Sequence, residues 1–466
     1  MNARAGLPLA LLLALLPATA LAQVGVKSPN QPDGGLSETI EAADRHVGGL
    51  DITQLVANEG RVVGAVEIEG RQVTQEGVVT REIHTTAGEP LDVKTVVADV
   101  RRLKNMQIFS EVGVVVEPLE GERVRVRFVL REMNSWLPTL AVQFTEENGF
   151  SAGPGVAALN LTGRNIRLSA SAIFGGTTQF WSDFNWPWIT GHHIGLRGRA
   201  AFLERTDTLN EFEESSNELT LRPSRFLGEH GRLGAGFQLL TVESDRDGKT
   251  LSPTNKDTLI SLEASIGWDT RDSWNNPRGG WKNELVVSKT GGGLGGDADF
   301  WRLIVDIRRW QQTSGNQRLL LSGLMSLQSG EVGIDIPEYL QYRLGGANTI
   351  RGYDVEKLGR TLFGRNQLIG TAEYSFRVVP QRRFDFWKLS FRLGLELALF
   401  GDVGVAWSES RDLNSKRTRA GGGAGVRLLI PGNEMVRVDF GWSPEGGFRV
   451  HLAGGSKPER QRGRLR

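Results

Sequence analysis

The residues that could carry covalent chemistry do not stand in catalytic arrangements. Asp269 and Asp272 could act as paired carboxylates, but their spacing suits a tight turn, which aspartate stabilises through its own backbone. His192 and His193 could bind a metal ion, yet adjacent residues of a strand point to opposite faces. The glycine run within 291–296 lacks the lysine that follows a phosphate-binding loop. The sequence therefore predicts no enzyme and no metal or cofactor site.

One pair of opposite charges is better explained by a structural role than by catalysis. Arg351 lies in the glycine-rich segment 344–353, and an enclosed guanidinium needs acceptors for its five donors. Asp402 shares the polar face of an alternating strand with Glu396. We predict a charge-assisted pair between Arg351 and Asp402 that pins the segment inside the fold. The pair could stabilise the fold or gate it, and exchanging its charges should restore part of what either single change loses.

Composition limits the classes of protein that fit. The chain has 466 residues, 55 lysines and arginines against 54 acidic residues, and no cysteine. This length allows two or three domains, or a small domain with a large closed β-structure. The balanced charge gives no sign of a nucleic-acid partner. The lack of cysteine excludes disulfides and thiolate sites and suits an oxidising compartment.

The N-terminal segment has the features of a secretory signal. A positive residue, Arg4, precedes the apolar stretch 7–16, and an A-x-A site ends at Ala22. We predict a signal peptide over 1–22 and a polar linker over 23–59, in which 36–47 fit one short helix. No later segment has the run of apolar residues that a transmembrane helix needs.

Residues 61–132 predict a small α+β domain. A strand ending at Gly70 precedes a helix with apolar residues at helical spacing, and a second helix begins at the N-cap Asp92. Two valine-rich strands follow, 112–116 and 124–130. The order is therefore β-α-α-β-β.

Residues 138–454 predict an all-β structure of about sixteen antiparallel strands. Apolar and polar residues alternate in segments of about ten residues, most clearly in 389–402. A soluble sandwich also fits this pattern. The signal peptide, the long apolar faces and the aromatic residues near strand ends favour a transmembrane barrel. The connection 330–362 is unusually long, which is typical of functional loops.

Four features in this order resemble the BamA/TamA-type superfamily of outer-membrane assembly and translocation barrels, also called the bacterial surface antigen family. They are a loop motif, a strand motif, a turn motif and the 61–132 domain, which is similar to a POTRA domain. The loop motif is Ile350, Arg351, Gly352 and Tyr353, and the strand motif is Phe400, Asp402 and Gly404. The turn motif is Asp269, Thr270, Arg271, Asp272, Pro277, Arg278 and Gly279.

The resemblance implies a POTRA domain followed by a sixteen-stranded antiparallel transmembrane β-barrel in the bacterial outer membrane. It implies that the domain lies in the periplasm and that the long loop folds into the lumen. It also implies a weak seam between the first and last strands, here 140–145 and 448–452, that could template client strands. Two features depart from the better-known members: a single POTRA domain, and a basic tail over 455–466. The tail could be disordered or could contact anionic headgroups or a partner.

Three functions are compatible with these features. The first is an assembly and insertion factor, whose partners would be the bilayer, unfolded outer-membrane or secreted clients and periplasmic accessory proteins, without nucleic acid. The second is a two-partner secretion transporter that exports one dedicated protein through the lumen. The third, a passive porin, explains neither the small domain nor the loop motif.

Overall fold

The computed structural model describes residues 52–145, 148–190, 193–274, 276–354, 362–386, 389–429 and 436–454. The predicted signal peptide, the helix expected within 36–47, His192 and the basic tail lie outside these residues. Within them, no helix is long and apolar enough to cross a membrane.

The N-terminal domain has one helix more than predicted. Its elements are α1 (Ile52–Ala57), β1 (Val62–Glu69), α2 (Glu76–Thr80), α3 (Val93–Asn105), β2 (Phe109–Leu119) and β3 (Arg123–Glu132). The sheet order is β1-β3-β2, with β1 parallel and β2 antiparallel to β3. The domain has the β-α-α-β-β order of a POTRA fold, preceded by α1.

The helices of this domain cover one face of its sheet. Leu55 of α1 is buried in the same core as Val96, Leu103 and Phe128. The predicted linker 23–59 is therefore too long at its C-terminal end. The first predicted helix corresponds to α2, which ends at Thr80 and is therefore shorter than its apolar spacing indicated. At α3, the Asp92 carboxylate accepts hydrogen bonds from two backbone N–H groups of the first turn, as an N-cap does.

Sixteen antiparallel strands form the barrel, in sequence order from β4 to β21. The first eleven are β4 (Trp136–Thr145), β5 (Gly149–Leu161), β6 (Ile166–Gly175), β7 (Thr177–Thr190), β8 (Ile194–Asp207), β9 (Phe212–Leu227), β10 (Gly231–Ser244), β11 (Lys256–Asp269), β12 (Gly280–Gly291), β13 (Asp299–Ser314) and β14 (Gln317–Gln328). The last five are β17 (Asn366–Phe386), β18 (Leu389–Trp407), β19 (Arg419–Leu429), β20 (Val436–Ser443) and β21 (Gly447–Gly454). The predicted fold class is confirmed.

The alternation of each strand separates an outer apolar face from a lumenal face. On β13, Trp301 is exposed on the outside, whereas Arg302, Asp306 and Arg308 are buried. The lumen also contains apolar side chains, as where Ile304 packs against two neighbours from adjacent strands. Barrel strands alternate in this way because successive side chains point to opposite faces.

The connection between β14 and β17 is the long loop, residues 329–365. Within it, β15 (Tyr342–Arg343) pairs antiparallel with β16 (Phe363–Gly364) in a two-stranded ribbon. The Ile350 to Tyr353 segment lies between them along the chain and is buried.

The two ends of the barrel sheet are β4 and β21. They terminate the hydrogen-bonded order, and no strand pairing joins them in the part of the chain that the structure describes. They have ten and eight residues, whereas β17 and β18 have 21 and 19. The barrel is therefore nearly closed, with its discontinuity where the seam was predicted.

Candidate functional site

The long loop docks in the lumen through Arg351. Its Nε and Nη2 atoms donate to the two carboxylate oxygens of Asp402 on β18, at 2.8 and 3.0 Å. The backbone N–H of Arg351 donates to the same carboxylate at 3.1 Å. The structure thus brings together the two residues that strand alternation paired, and the contact is bidentate.

Arg351 and Asp402 are part of a larger ion network on four strands. Arg351 Nη1 also lies 3.0 Å from Glu373 on β17 and 3.4 Å from Asp439 on β20. Arg427 on β19 contacts these same two carboxylates, at 2.8 and 2.6 Å. Arg437 on β20 donates to Asp439 at 2.7 Å. Three guanidiniums therefore face three carboxylates.

The burial of this network makes each member sensitive to loss of its partners. Arg351 is fully buried and Asp402 is 3% exposed. Removing one member of a buried ion pair typically costs about 3–5 kcal/mol because the remaining charge stays desolvated. Loss of one charged group should therefore weaken the docking of the loop by leaving its partners buried without an opposite charge.

The backbone of the loop motif is held as closely as its side chains. Gly352 N–H donates to His451 Nε2 on β21 at 3.1 Å, and the Gly352 carbonyl accepts from Ser443 Oγ at 2.6 Å. Gly352 has φ +93°, and a Cβ atom there would lie 2.6 Å from the carbonyl carbon of Trp442. Only glycine fits this position. The Tyr353 hydroxyl donates to the Ala420 carbonyl at 3.3 Å.

The strand motif forms the floor beneath the loop. The ring of Phe400 lies under the Arg351 guanidinium, 3.3 Å from ring centroid to Cζ, as in a cation–π contact. Gly404 leaves room for Ile350, since a Cβ atom at Gly404 would approach the Ile350 Cδ1 atom to 3.1 Å. All residues predicted in the loop and strand motifs therefore meet at one place in the lumen.

The turn motif forms a separate structure at the periplasmic end of β11 and β12. Asp269 accepts three hydrogen bonds from Arg271, and Asp272 accepts from the Arg278 N–H at 2.9 Å. Thr270 Oγ1 accepts from the N–H of Trp281 at 3.0 Å. The two aspartates thus organise a turn, as predicted from their spacing.

The far side of this turn reaches the barrel interior. Arg318 on β14 donates to the Pro277 carbonyl at 2.6 Å and to the Asn276 side chain, and it pairs with Glu396 on β18 at 2.9 Å. On its outer side, Trp274 N–H donates to Asn105 of α3 at 3.1 Å. The turn therefore lies between the POTRA domain and the lumen. A Cβ atom at Gly279 would have no heavy atom within 4 Å among the residues that the structure describes.

Sequence reasoning missed part of the lumenal network. Glu373, Arg427, Arg437 and Asp439 were not predicted as members of the site, although alternation places Arg437 and Asp439 together on the polar face of their strand. Their meeting depends on how far neighbouring strands are staggered, which alternation does not encode. His451 was missed because a lone histidine in a strand carries no local signal.

Ser151 lies at the centre of a G-x-S-x-G pattern, Gly149 to Gly153. A nucleophile elbow needs a strand-to-helix turn. Ser151 instead lies within β5, and its Oγ accepts a hydrogen bond from Thr177 N–H at 2.9 Å. The pattern is part of a strand.

Two family models match the chain. The Omp85 superfamily domain matches residues 160–451, and the POTRA model, described as a surface antigen variable number repeat, matches residues 62–133.

The relatives and solved structures agree with these matches. The chain is 26% identical over 388 residues to outer membrane protein assembly factor BamA of Nitratidesulfovibrio vulgaris, covering 81% of this chain and 48% of that protein. It is 22% identical to BamA of Neisseria meningitidis, covering 80% and 50%. The chain thus spans about half the length of these relatives.

Two solved structures share the fold of this chain. BamA from Haemophilus ducreyi lacking POTRA domains 1–3 superposes with a TM-score of 0.54 at 14% identity, covering 85% of this chain and 84% of that one. CdiB from Acinetobacter baumannii also superposes with a TM-score of 0.54, at 13% identity, covering 84% of this chain and 73% of that one. Because the Omp85 family model covers more than half of the sequence, the chain belongs to the Omp85 superfamily.

Proposed function

We propose that this chain is an assembly factor that inserts β-barrel proteins into the outer membrane. In this proposal the POTRA domain receives unfolded clients, and the free edges of β4 and β21 template client strands. In this proposal, insertion of the client depends on hydrogen bonding and on the bilayer, and it uses no covalent chemistry, metal or cofactor. The observation that carries the proposal is that β4 and β21 end the sheet and that, among the described residues, no pairing joins them.

The setting of the barrel supports this role. It lies in the bacterial outer membrane with its POTRA domain in the periplasm. Two relatives are named outer membrane protein assembly factors. Because the chain spans about half of their length, its clients and any periplasmic accessory proteins are part of the proposal.

The physical reason is the cost of unpaired backbone groups in lipid. An N–H or C=O group without a partner in the hydrocarbon region costs several kcal/mol. A client strand that pairs with β4 or β21 satisfies such groups on both chains.

A two-partner secretion transporter is the alternative. The CdiB structures have the same fold, which is compatible with either role. Passage through the lumen would require withdrawal of the buried Ile350 to Tyr353 segment, since it occupies the lumen in this structure. Pairing at the seam requires no such withdrawal, and we therefore favour assembly.

The test is insertion of an unfolded barrel client into liposomes that contain the full chain. The measured quantity is the rate at which protease-protected, folded client appears. We expect this rate to rise above that of empty liposomes. Cysteines are introduced by Val142→Cys and by Val450→Cys, or at the outward-facing neighbours of Val450, so that a disulfide forms across the seam. This disulfide should abolish the increase in rate, and its reduction should restore the increase. The chain has no cysteine of its own.

The control is a disulfide within the continuous sheet. Leu219 and Leu239 face each other on β9 and β10, so Leu219→Cys with Leu239→Cys cross-links two strands that already pair. This variant should keep its activity when oxidised. Undiminished insertion by the oxidised seam variant would contradict templating at the seam. An absence of acceleration by the unmodified chain would favour dedicated secretion.

A further inference from the structure

The long loop contacts two opposite parts of the barrel. We call β8 to β13 the N-terminal wall and β17 to β21 the C-terminal wall. The loop motif at Arg351 is bound to the C-terminal wall, as described above. The preceding part of the same loop, residues 336–343, is bound to the N-terminal wall by contacts that the loop motif does not explain.

The first of these contacts is a second bidentate ion pair. Arg343 Nη2 and Nη1 donate to the two carboxylate oxygens of Asp207 at 2.7 and 3.2 Å. Asp207 is the last residue of β8 and is fully buried. It also accepts hydrogen bonds from the backbone and side chain of Asn210, so all of its acceptor directions are used. The geometry is the paired fork that makes arginine specific for carboxylates.

The second contact joins the loop to β11. The Tyr339 hydroxyl donates to Asp257 Oδ2 at 2.7 Å, and Asp257 is fully buried. Around it, three loop side chains pack into an apolar cluster with side chains of β9, β10, β11 and β13. The loop members are Ile336, Tyr339 and Leu340, and the wall members are Phe212, Leu240, Val242, Leu259 and Phe300 together with Ala298.

A short chain segment connects the two anchored parts. Seven residues, 344–350, separate Arg343 from Arg351. Fully extended, such a segment reaches about 28 Å between the two arginine Cα atoms. It is bent at Gly345 and Gly346, and Arg437 of β20 binds the Ala347 carbonyl at 2.9 Å. The Arg437 contact therefore holds the middle of this segment on the C-terminal wall.

We propose that Arg343 and Tyr339 are positioning residues that fasten the loop to the N-terminal wall, so that residues 339–353 form a tether between the two walls. The seam between β4 and β21 opens when these walls move apart at the extracellular side. The tether opposes that movement, and release at Asp207 permits it while Arg351 stays docked. The consequence for client insertion rests on the proposed function, but the tether itself does not.

The test is a distance measurement across the seam in the full chain, reconstituted in bilayers without any client. Spin labels are placed at Val142→Cys on β4 and Phe448→Cys on β21, whose side chains are exposed on the outer surface. In the variant carrying R343Q and Y339F, we expect the label separation to shift to longer distances by about one interstrand spacing, roughly 5 Å.

The matched control removes an arginine–carboxylate pair that does not join the walls. Arg222 and Glu263 lie 3.4 Å apart, and both belong to the N-terminal wall, so R222Q should leave the separation unchanged. Folding of each variant is verified by its heat-modifiable migration, and D207N replaces any variant that fails to fold. An unchanged separation in folded R343Q/Y339F or D207N protein would overturn the tether. Because no client is present, failure of the assembly proposal would leave this result unaffected.

Discussion

Glu396 and Asp402 lie six residues apart on the lumenal face of β18, and each binds a different segment that enters the barrel. Asp402 binds Arg351 of the extracellular loop at 2.8 Å. Glu396 binds Arg318 at 2.9 Å, and Arg318 in turn binds the periplasmic turn at Pro277. One strand therefore connects the loop that enters from outside with the turn that contacts the POTRA domain.

The ion network predicts that Arg351 cannot be replaced without loss of stability. In Arg351→Ala, Asp402 and Glu373 would remain buried without one of their cations. We expect the free energy of unfolding to fall by about 3–5 kcal/mol. Arg351→Lys should lose part of this amount, because an ammonium group cannot form the planar fork. Urea unfolding of the full chain in liposomes measures both, and equal stability of Arg351→Ala and the unmodified chain would contradict the network.

The charges around Arg351 and Asp402 change the result that we expect from exchanging these two residues. Considered as an isolated pair, Arg351→Asp with Asp402→Arg should restore stability. In the structure, an aspartate at 351 would face Glu373 and Asp439, which lie 3.0 and 3.4 Å from the present guanidinium. We therefore expect the double variant to unfold as readily as the single ones. Restoration would instead indicate that the Arg351–Asp402 pair acts alone.

Alanine substitutions at two loop glycines distinguish the effect of a steric clash from that of backbone strain. Gly352 and Gly346 both have positive φ, +93° and +81°, but only Gly352 is crowded. Gly346→Ala should cost about 1–2 kcal/mol from the left-handed conformation alone. Gly352→Ala should cost more and should undock the loop, because its Cβ atom would clash with Trp442. Protease cleavage of the loop in intact liposomes measures undocking, and equal cleavage of both variants would argue against the steric explanation.

The site was predictable where the signal was local. The pairing of Asp402 with Arg351 could be predicted because strand alternation places Asp402 on the lumenal face and the family resemblance implies that the long loop folds into the lumen. Glu373 and Asp439 have the same alternation, yet their meeting depends on strand stagger and barrel closure. The contact of Arg343 with Asp207 depends on the path of an irregular loop, for which no periodicity exists.

The POTRA domain has a buried carboxylate whose loss should destabilise it. Asp99 of α3 is fully buried and accepts hydrogen bonds from His84 N–H and Thr85 N–H, both at 2.9 Å. In Asp99→Ala these donors would be left unpaired, at about 1–3 kcal/mol each. The N-cap variant Asp92→Ala should cost only about 1 kcal/mol, because the N–H groups that Asp92 accepts from are exposed to water. Amide hydrogen exchange of β2 and β3 in the full chain should rise much more in the first variant than in the second.

Docking of the POTRA domain on the barrel should weaken as pH falls from about 6.5 to about 4. His193, in the periplasmic turn between β7 and β8, stacks between Trp188 and Phe226 with centroid distances of 3.7 and 4.2 Å. Arg81 of the POTRA domain lies over Trp188. Burial, together with the positive charges of Arg81 and Arg232, lowers the pKa of His193 to about 4 from an ordinary value of 6.5.

The sign of the His193 effect follows from which state binds the proton. Well above pH 6.5 the imidazole is neutral whether the domain is docked or released, so it contributes no pH dependence. Release of the domain removes the positive charge of Arg81 from His193, so at lower pH the released form binds more protons than the docked form, and acidification therefore favours release. Transfer of energy between fluorophores on the domain and on the barrel measures docking. His193→Phe keeps a stacked ring without a titrating group, and it should remove the pH dependence between pH 6.5 and 5. An unchanged dependence in this variant would assign the effect to other groups.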